Sequence, residues 1–405
     1  MSALIARTLA RPGTPARPAA AALAAVICAG AALAGCGSAA SPAAARPAAP
    51  VSLPLATSLA SGPVTWAVVP MGSAAPGPNQ FWQLFELPAG ATRWALETPP
   101  EIATNGALAA APAAGQALVA GVHSTLGLDF SPVTATADGG RTWSAGTPDP
   151  GLARVPDALA AAPHGTGLIA LDQGRAGPAA ATASSATAGS WSPLTTTKNL
   201  AATAAGRACG LTALAAAAFS PAGVPVLGGT CHHPGVAGVF AEQAGTWQAA
   251  GPPLPAALRG QTVQVLRLTR TGDRLTALLQ AGTGRAASLV AAWTADGKSW
   301  TVSPPLPLAG AAVLSSSFGG DGAAAVALTG RRAATLTGPG GSWQSLPALP
   351  AAPHVTLALP AGGAVMALAT DRSILTVWRL AGPAGGGTWT RSQTTTVPIQ
   401  YGSSS

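Results

Sequence analysis

Few residues in this 405-residue chain can do chemistry: four cysteines, five histidines and thirteen acidic residues. Cys209 and Cys231 are spaced so that they could react with each other. They flank two apolar runs, Leu211–Phe219 and Val224–Gly229, joined by the turn Ser220-Pro221-Ala222-Gly223. A hairpin folded at that turn brings both thiols to its open end, where oxidation gives a disulfide. The bond would close a loop of about 20 residues and contribute about 3 kcal/mol. Cys231-His232-His233-Pro234-Gly235 has the residue types of a metal site. Adjacent histidines on a strand face opposite ways, however, and no third ligand stands at a recognisable spacing, so a surface loop without metal is expected. His123, His164 and His354 are isolated and read as loop residues. Glycoside hydrolysis needs two carboxyls across the bond, and no motif pairs any two of the acids, which include the glutamates Glu86, Glu97, Glu101 and Glu242. No G-x-S-x-G elbow precedes a helix. Neither a catalytic residue nor a cofactor is assigned.

The other two cysteines, Cys28 and Cys36, stand in a leader. Arg7, Arg11 and Arg17 precede an apolar stretch over residues 19–35, and the order of basic, apolar and small residues is that of a secretory signal. Its last residues, Leu33-Ala34-Gly35-Cys36, resemble the lipobox of bacterial lipoproteins. That resemblance implies cleavage before Cys36 and a thioether-linked lipid on its sulfur. Residues 1–35 are thus expected to be a lipoprotein signal peptide, and residues 36–54 a Pro/Ala-rich tether. The folded region would then sit on the extracytoplasmic face of the cell membrane, held by its N-terminal lipid. No later stretch has about 18 consecutive apolar residues, so no second span is expected.

The formal charge is +8. Without the three leader arginines, eighteen basic and thirteen acidic residues remain, a balance of +5. Arg331-Arg332 is the only adjacent basic pair, and the other arginines are scattered. With no basic stripe and no interleaved aromatics, nucleic acid is not an expected partner.

The elements that must position these residues are announced by tryptophan. A turn, a small residue and tryptophan recur at Trp94, Trp143, Trp191, Trp247, Trp300, Trp343 and Trp389, at steps of 49, 48, 56, 53, 43 and 46 residues. Between them lie apolar runs of five to seven residues bounded by Gly, Pro, Ser or Asp, which predict strands. Each unit thus reads as a four-stranded meander, the size of a propeller blade. Prolines after most of the tryptophans end the outer strand, because proline cannot donate to a ladder. The expectation is an all-β propeller of about seven blades, with six or eight as alternatives, over residues 55–400; the segment after Trp389 either pairs with the first blade to close the ring or frays, and a disordered tail follows at 401–405. Phe81, Trp82, Trp293 and Trp378 are expected in the core.

Thr136-Ala137-Asp138-Gly139-Gly140-Arg141-Thr142-Trp143 matches the Asp-box pattern S/T-x-D-x-G-x-T-W, and Thr294-Ala295-Asp296-Gly297-Lys298-Ser299-Trp300 is a variant one residue shorter. The chain therefore resembles the sialidase-like BNR-repeat propellers. The resemblance implies that each box is a turn between the third and fourth strands of a blade, remote from any active site. Asp138, Gly140, Trp143, Asp296, Gly297 and Trp300 would then be structural. Catalytic members of that family use a tyrosine nucleophile with a glutamate. Here the one tyrosine, Tyr401, lies beyond every repeat, so sialidase catalysis is not expected. The reading is a monomeric, non-catalytic module that binds or scaffolds an envelope protein or glycan. Its alternatives are an envelope glycoside hydrolase with unrecognised acids, or an assembly factor for an envelope complex. Loops flanking the strands are the places to look for contact: His123–Phe130, Gln173–Ser185, Cys231–Val236 and Arg372.

Overall fold

The structure is a computed structural model describing residues 56–397, apart from 62, 73–79, 98–103, 111–117, 125–132, 144–155, 164–166, 174–176, 188–189, 362 and 383–385. The leader, Cys36, the tether, Tyr401 and the tail lie outside the described residues, as do Glu101 and His164.

Among the described residues, seven antiparallel meanders follow one another. The first comprises Ala56–Ser61, Val64–Gly72, Gln80–Leu87 and Ala95–Leu96. The second comprises Thr104–Ala110, Leu118–Ser124 and Val133–Thr136, and the place for its fourth strand falls outside the described residues. The third has Ala158–Ala161, Leu168–Asp172, Thr182–Thr187 and Ser190–Thr196, and the fourth has Leu211–Phe219, Pro225–Cys231, Gly238–Gln243 and Thr246–Ala249. The fifth is built from Val263–Thr271, Arg274–Ala281, Ser288–Thr294 and the short Thr301–Val302. The sixth has Val313–Phe318, Ala324–Leu328, Arg332–Leu336 and Trp343–Ser345; the seventh has His354–Ala358, Met366–Asp371, Ile374–Ala381 and Thr388–Thr396.

The tryptophans explain how these sheets stack. Trp191 packs with Ala135 of the second meander, Trp247 with Ile169 and Leu171 of the third, and Trp300 with Val226 and Val239 of the fourth. Trp343 joins Leu278 and Leu289 of the fifth, and Trp389 joins Ala325 and Leu346 of the sixth. Each indole thus covers the meander before its own. Three of them also donate backward from Nε1: Trp300 to Ala250 O at 2.9 Å, Trp343 to Ser303 Oγ at 3.2 Å and Trp389 to Pro347 O at 3.3 Å. Each acceptor stands three or four residues beyond the preceding repeat tryptophan. An indole suits this seam, because it buries a large apolar face while its N–H finds an acceptor at the rim.

The pattern is cyclic. Trp94, in the first meander, packs against Ala358, Met366 and Leu368 of the seventh. Its main-chain N–H donates to Gln393 Oε1 at 2.8 Å, and Gln393 Nε2 donates to Trp94 O at 3.0 Å. Gln393 is four residues beyond Trp389, where the other seams place their acceptor. Thr370 Oγ1 donating to Pro70 O and Gly72 N donating to Arg372 O fasten the same junction. The architecture is that of a β-propeller, closed by the last meander packing on the first.

The sheets depart from independent blades in two places. Ala56–Leu59 pairs in parallel with Ser315–Phe318, joining the first and sixth meanders through their opening strands. Serines at 58, 315, 316 and 317 are small enough for two backbones to reach pairing distance. Thr230 and Cys231 pair with Gln264 and Val263, joining the fourth and fifth meanders. There a Cβ on Gly228 would stand 2.6 Å from Val265, so only glycine fits.

Two short helices, Thr197–Ala201 and Ala204–Cys209, were not expected and fill the longest tryptophan interval. Each is N-capped by a threonine: Thr196 Oγ1 accepts from Asn199 N and Thr203 Oγ1 accepts from Gly206 N. Gly210, at φ +62, ends the second helix. Cys209 therefore lies at a helix end, next to the strand and not on it, and its disulfide to Cys231 ties the helical insertion to the hairpin. Two histidines expected in loops are in strands: His123 in Leu118–Ser124 and His354 at the start of His354–Ala358. Among the expected core aromatics, Trp82 and Trp293 are buried, while Phe81 and Trp378 are partly buried. No helix among the described residues is long and apolar enough to cross a membrane.

Candidate functional site

Both Asp boxes are self-contained turns. Asp138 Oδ1 accepts from Thr136 Oγ1 at 2.9 Å and from Thr142 N at 3.0 Å, while Oδ2 accepts from Thr142 Oγ1 at 2.7 Å. Gly139 and Gly140 take φ of +75° and +84°. The hydroxyl and amide of Thr142, with help from Thr136, hold the Asp138 carboxyl down at about 2. In the second box, Asp296 Oδ1 accepts from Ser299 N at 2.7 Å, Lys298 N at 2.8 Å and Thr294 Oγ1 at 2.9 Å. Those bonds, the Ser299 amide foremost, push its carboxyl far below the usual range. Gly297 sits at φ +71. A carboxylate so committed to its own turn has little capacity left for a ligand.

The first box also closes over a pair of acids that sequence reasoning missed. Glu86 is opposite Trp66 on one side and Ala95 on the other, and Glu97 N donates to Leu84 O at 2.9 Å. This register puts Glu86, Glu97, Leu84, Trp82 and Trp66 on one face of the first meander. That face meets Trp143, whose ring stands edge-on to Trp66 with centroids 6.4 Å apart. A Cβ on Gly140 would lie 2.8 Å from Glu97 Oε2 and 2.9 Å from Glu97 Cβ, so the box rests directly on the acid. Burial, with Glu97 nearby, raises the Glu86 carboxyl to about 7, and Arg141 acts in the opposite sense. Burial also raises Glu97, again opposed by Arg141. A short exit strand, Ala95–Leu96, makes the pairing, and two residues leave no periodicity to read.

A second polar centre lies where opening strands converge. Arg267, which follows a bulge at Val265, reaches out of the fifth meander. Its Nη1 donates to Ser316 O at 2.9 Å and Nη2 to Ser58 O at 3.3 Å, while the guanidinium stands 5.2 Å from the centre of the Phe318 ring. Burial lowers its pKa to about 10. Ser58 and Ser317 bridge hydroxyls at 2.5 Å beside it. One side chain thus joins three opening strands through carbonyl oxygens, and cation–π contact with Phe318 offsets part of its desolvation.

The remaining positions scatter. His232 and His233 are exposed in a bend beyond their strand, with ring centroids 6.2 Å apart, and His233 Nδ1 lies 3.0 Å from Ala208 O. No group of three metal-ligating side chains occurs among the described residues. Of the stretches expected as contact loops, residues 125–130 and 174–176 lie outside the described residues, and Thr182–Thr187 is a strand. Arg372 is exposed at φ +54.

No protein-family model matches the chain, and no curated protein matches it. Solved structures give a distant likeness. YCF48 from Cyanidioschyzon merolae is 10% identical, with 78% of this chain and 92% of that one covered at a TM-score of 0.44. YCF48 bound to D1 peptide is 16% identical over 68% and 74% at 0.38. The Aleuria aurantia lectin in complex with alpha-methyl-L-fucoside is 14% identical over 73% and 94% at 0.41. Likeness at this level carries no argument about a ligand.

Proposed function

We propose that the chain is a lipid-anchored, extracytoplasmic β-propeller of seven four-stranded blades that binds an envelope protein or glycan without transforming it. Cleavage before Cys36 and lipidation of its thiol would place the propeller on the outer membrane face behind the 36–54 tether. The observation that carries the non-catalytic reading is the burial of Glu86 beneath the first Asp box. Glu86 is 5% exposed, between Trp66 and the Asp box, and the half-buried Glu97 is held against Gly140. A carboxyl buried in a seam cannot act across a glycosidic bond. The raised pKa of Glu86 is what favours the second reading, a glycoside hydrolase, since a general acid needs its proton at neutral pH.

The test is to isolate the cross-linked partner of the full chain in intact envelopes, then incubate the purified pair. Release of an unaltered partner supports binding. Cleavage of a glycan, abolished by Glu86→Gln, would overturn it. Loss of membrane fractionation in Cys36→Ala is the expected result for the anchor.

A further inference from the structure

In an antiparallel meander the first and third turns lie at one end, and the second turn lies at the other with the link to the next meander. Hydrogen bonds join the latter set from the fourth meander to the sixth. His232 N donates to Gly210 O, Gly235 N to Gln261 O, Gly282 N to Thr262 O, Leu308 N to Ala287 O and Leu349 N to Arg331 O, all at 2.8–2.9 Å. Arg332 Nη1 donates to Leu308 O at 2.8 Å. These loops carry Lys198, Arg207, Arg259, Arg285, Arg331 and Arg332, all exposed, together with the exposed His232 and His233. None of the loops holds an acid. The four acids between residues 197 and 370 are Glu242, Asp273, Asp296 and Asp321, and all belong to turns at the opposite end, where Arg270, Arg274 and Lys298 accompany them. Within the fourth to sixth meanders one end therefore carries +6 and the other −1. Asp172 and Asp371 bound the basic end on its two sides.

The chain enters the fold at that same end. Ala56 pairs in parallel with Ser315, and the strand Val313–Phe318 begins just after the basic-end link through Leu308 and Ala311. The described chain thus begins on the side of the arginines. A cleft of about 220 Å³ between Leu306, Leu328, Arg331, Arg332 and Leu346 opens there as well.

We infer that this basic end lies against an anionic lipid surface and binds the phosphates of its headgroups. The inference rests on the lipid-anchor reading for its choice of partner: an anchored domain has a bilayer within reach, the described chain begins at the charged end, and fixed positive charge attracts acidic headgroups. It deepens that reading by assigning the membrane-facing side and leaving the −1 end for the envelope partner.

The test uses the chain from residue 36 onward, the form that the proposed processing leaves, made without lipid so that the anchor cannot contribute. Vesicles of phosphatidylcholine, with and without phosphatidylglycerol, are the probe in cosedimentation. Binding is expected only with phosphatidylglycerol, and it should weaken as salt is added. Lys198, Arg259 and Arg285 make no side-chain hydrogen bond among the described residues. Replacing all three with glutamine should lower the partition coefficient about five-fold per charge, about a hundred-fold together. Lys298→Gln, at the other end, should change nothing, and matching thermal unfolding of all variants checks the fold. Absence of binding to phosphatidylglycerol vesicles, or equal binding by the triple variant and Lys298→Gln, overturns the inference. So does retention on polyglutamate without vesicle binding, which would assign the face to an acidic polypeptide. Fractionation of Cys36→Ala reports the anchor alone, so the two ideas fail separately.

Discussion

Replacing Glu86 with glutamine should make the protein more stable at pH 8 and leave it unchanged at pH 5. Burial between the first and second meanders, with Glu97 close by, moves this carboxyl from 4.5 to about 7. At about 1.36 kcal/mol per pH unit the shift corresponds to roughly 3 kcal/mol. Solvent screening at the carboxyl reduces the expected effect to about 1–2 kcal/mol. The sign follows from proton binding. Because the folded state holds the proton more tightly than the unfolded chain, the stabilisation is complete below pH 4.5 and is lost as pH rises to about 7. Glu97, raised in the same direction, adds to this slope. Glutamine imitates the protonated acid in shape and charge, so the variant should lack the Glu86 part of the decline. Denaturant midpoints of both proteins at pH 5 and pH 8 measure the difference, and taking it between variants cancels histidine titration. If wild type and Glu86→Gln lose stability in parallel between those pH values, the acid is solvated and the sealed seam is wrong.

Other seams give sharper mechanical tests. Gln393→Ala strips the main-chain N–H and C=O of Trp94 of their partners. It should cost about 2–4 kcal/mol and speed hydrogen exchange at the Trp94 amide before other seams respond. Gly140→Ala requires φ +84 of an L residue and drives a Cβ into Glu97. The backbone alone should cost about 1–2 kcal/mol, read as a lowered unfolding midpoint. Cys209→Ser with Cys231→Ser opens a link between residues 22 apart. The expected loss is about 3 kcal/mol, with proteolysis starting in residues 197–210.

Strand order was legible because one turn-plus-tryptophan phrase recurs in each meander. Its spacing announced the repeat, and Leu211–Phe219 was bounded correctly by the turn Ser220–Gly223. The helices over 197–209 were not legible. At five and six residues each is under two turns long and is capped by a threonine, too short for a periodic pattern to show, so the segment read as an enlarged loop. Glu86 and Glu97 escaped for another reason. Eleven positions apart, they become neighbours only through the register of the two-residue strand Ala95–Leu96, and register is not written in residue types. Arg267 looked like one scattered cation among many, because its partners Ser58 and Ser316 belong to other meanders.

Charge polarity was hidden by the same property that makes the fold readable. Along the chain the acids are interspersed among more numerous basic residues: Arg259, Arg267, Arg270, Asp273, Arg274, Arg285, Asp296, Lys298, Asp321, Arg331 and Arg332. A linear reading sees only scattered cations with an excess of positive charge. A meander reverses direction at every turn, however, so alternate turns in sequence collect at opposite ends in space. In the fourth to sixth meanders the acids all fall in first and third turns, and the fold therefore sorts the charges into one basic end and one mildly acidic end. The cyclic seams, with Trp94 held by Gln393 as Trp300 is held by Ala250, keep that sorting rigid, because no meander can rotate without breaking contact with its neighbour. Tryptophan thus has a consequence beyond packing. By fixing these meanders in one orientation, it converts the placement of acids in alternate turns into a standing difference of charge between their two ends.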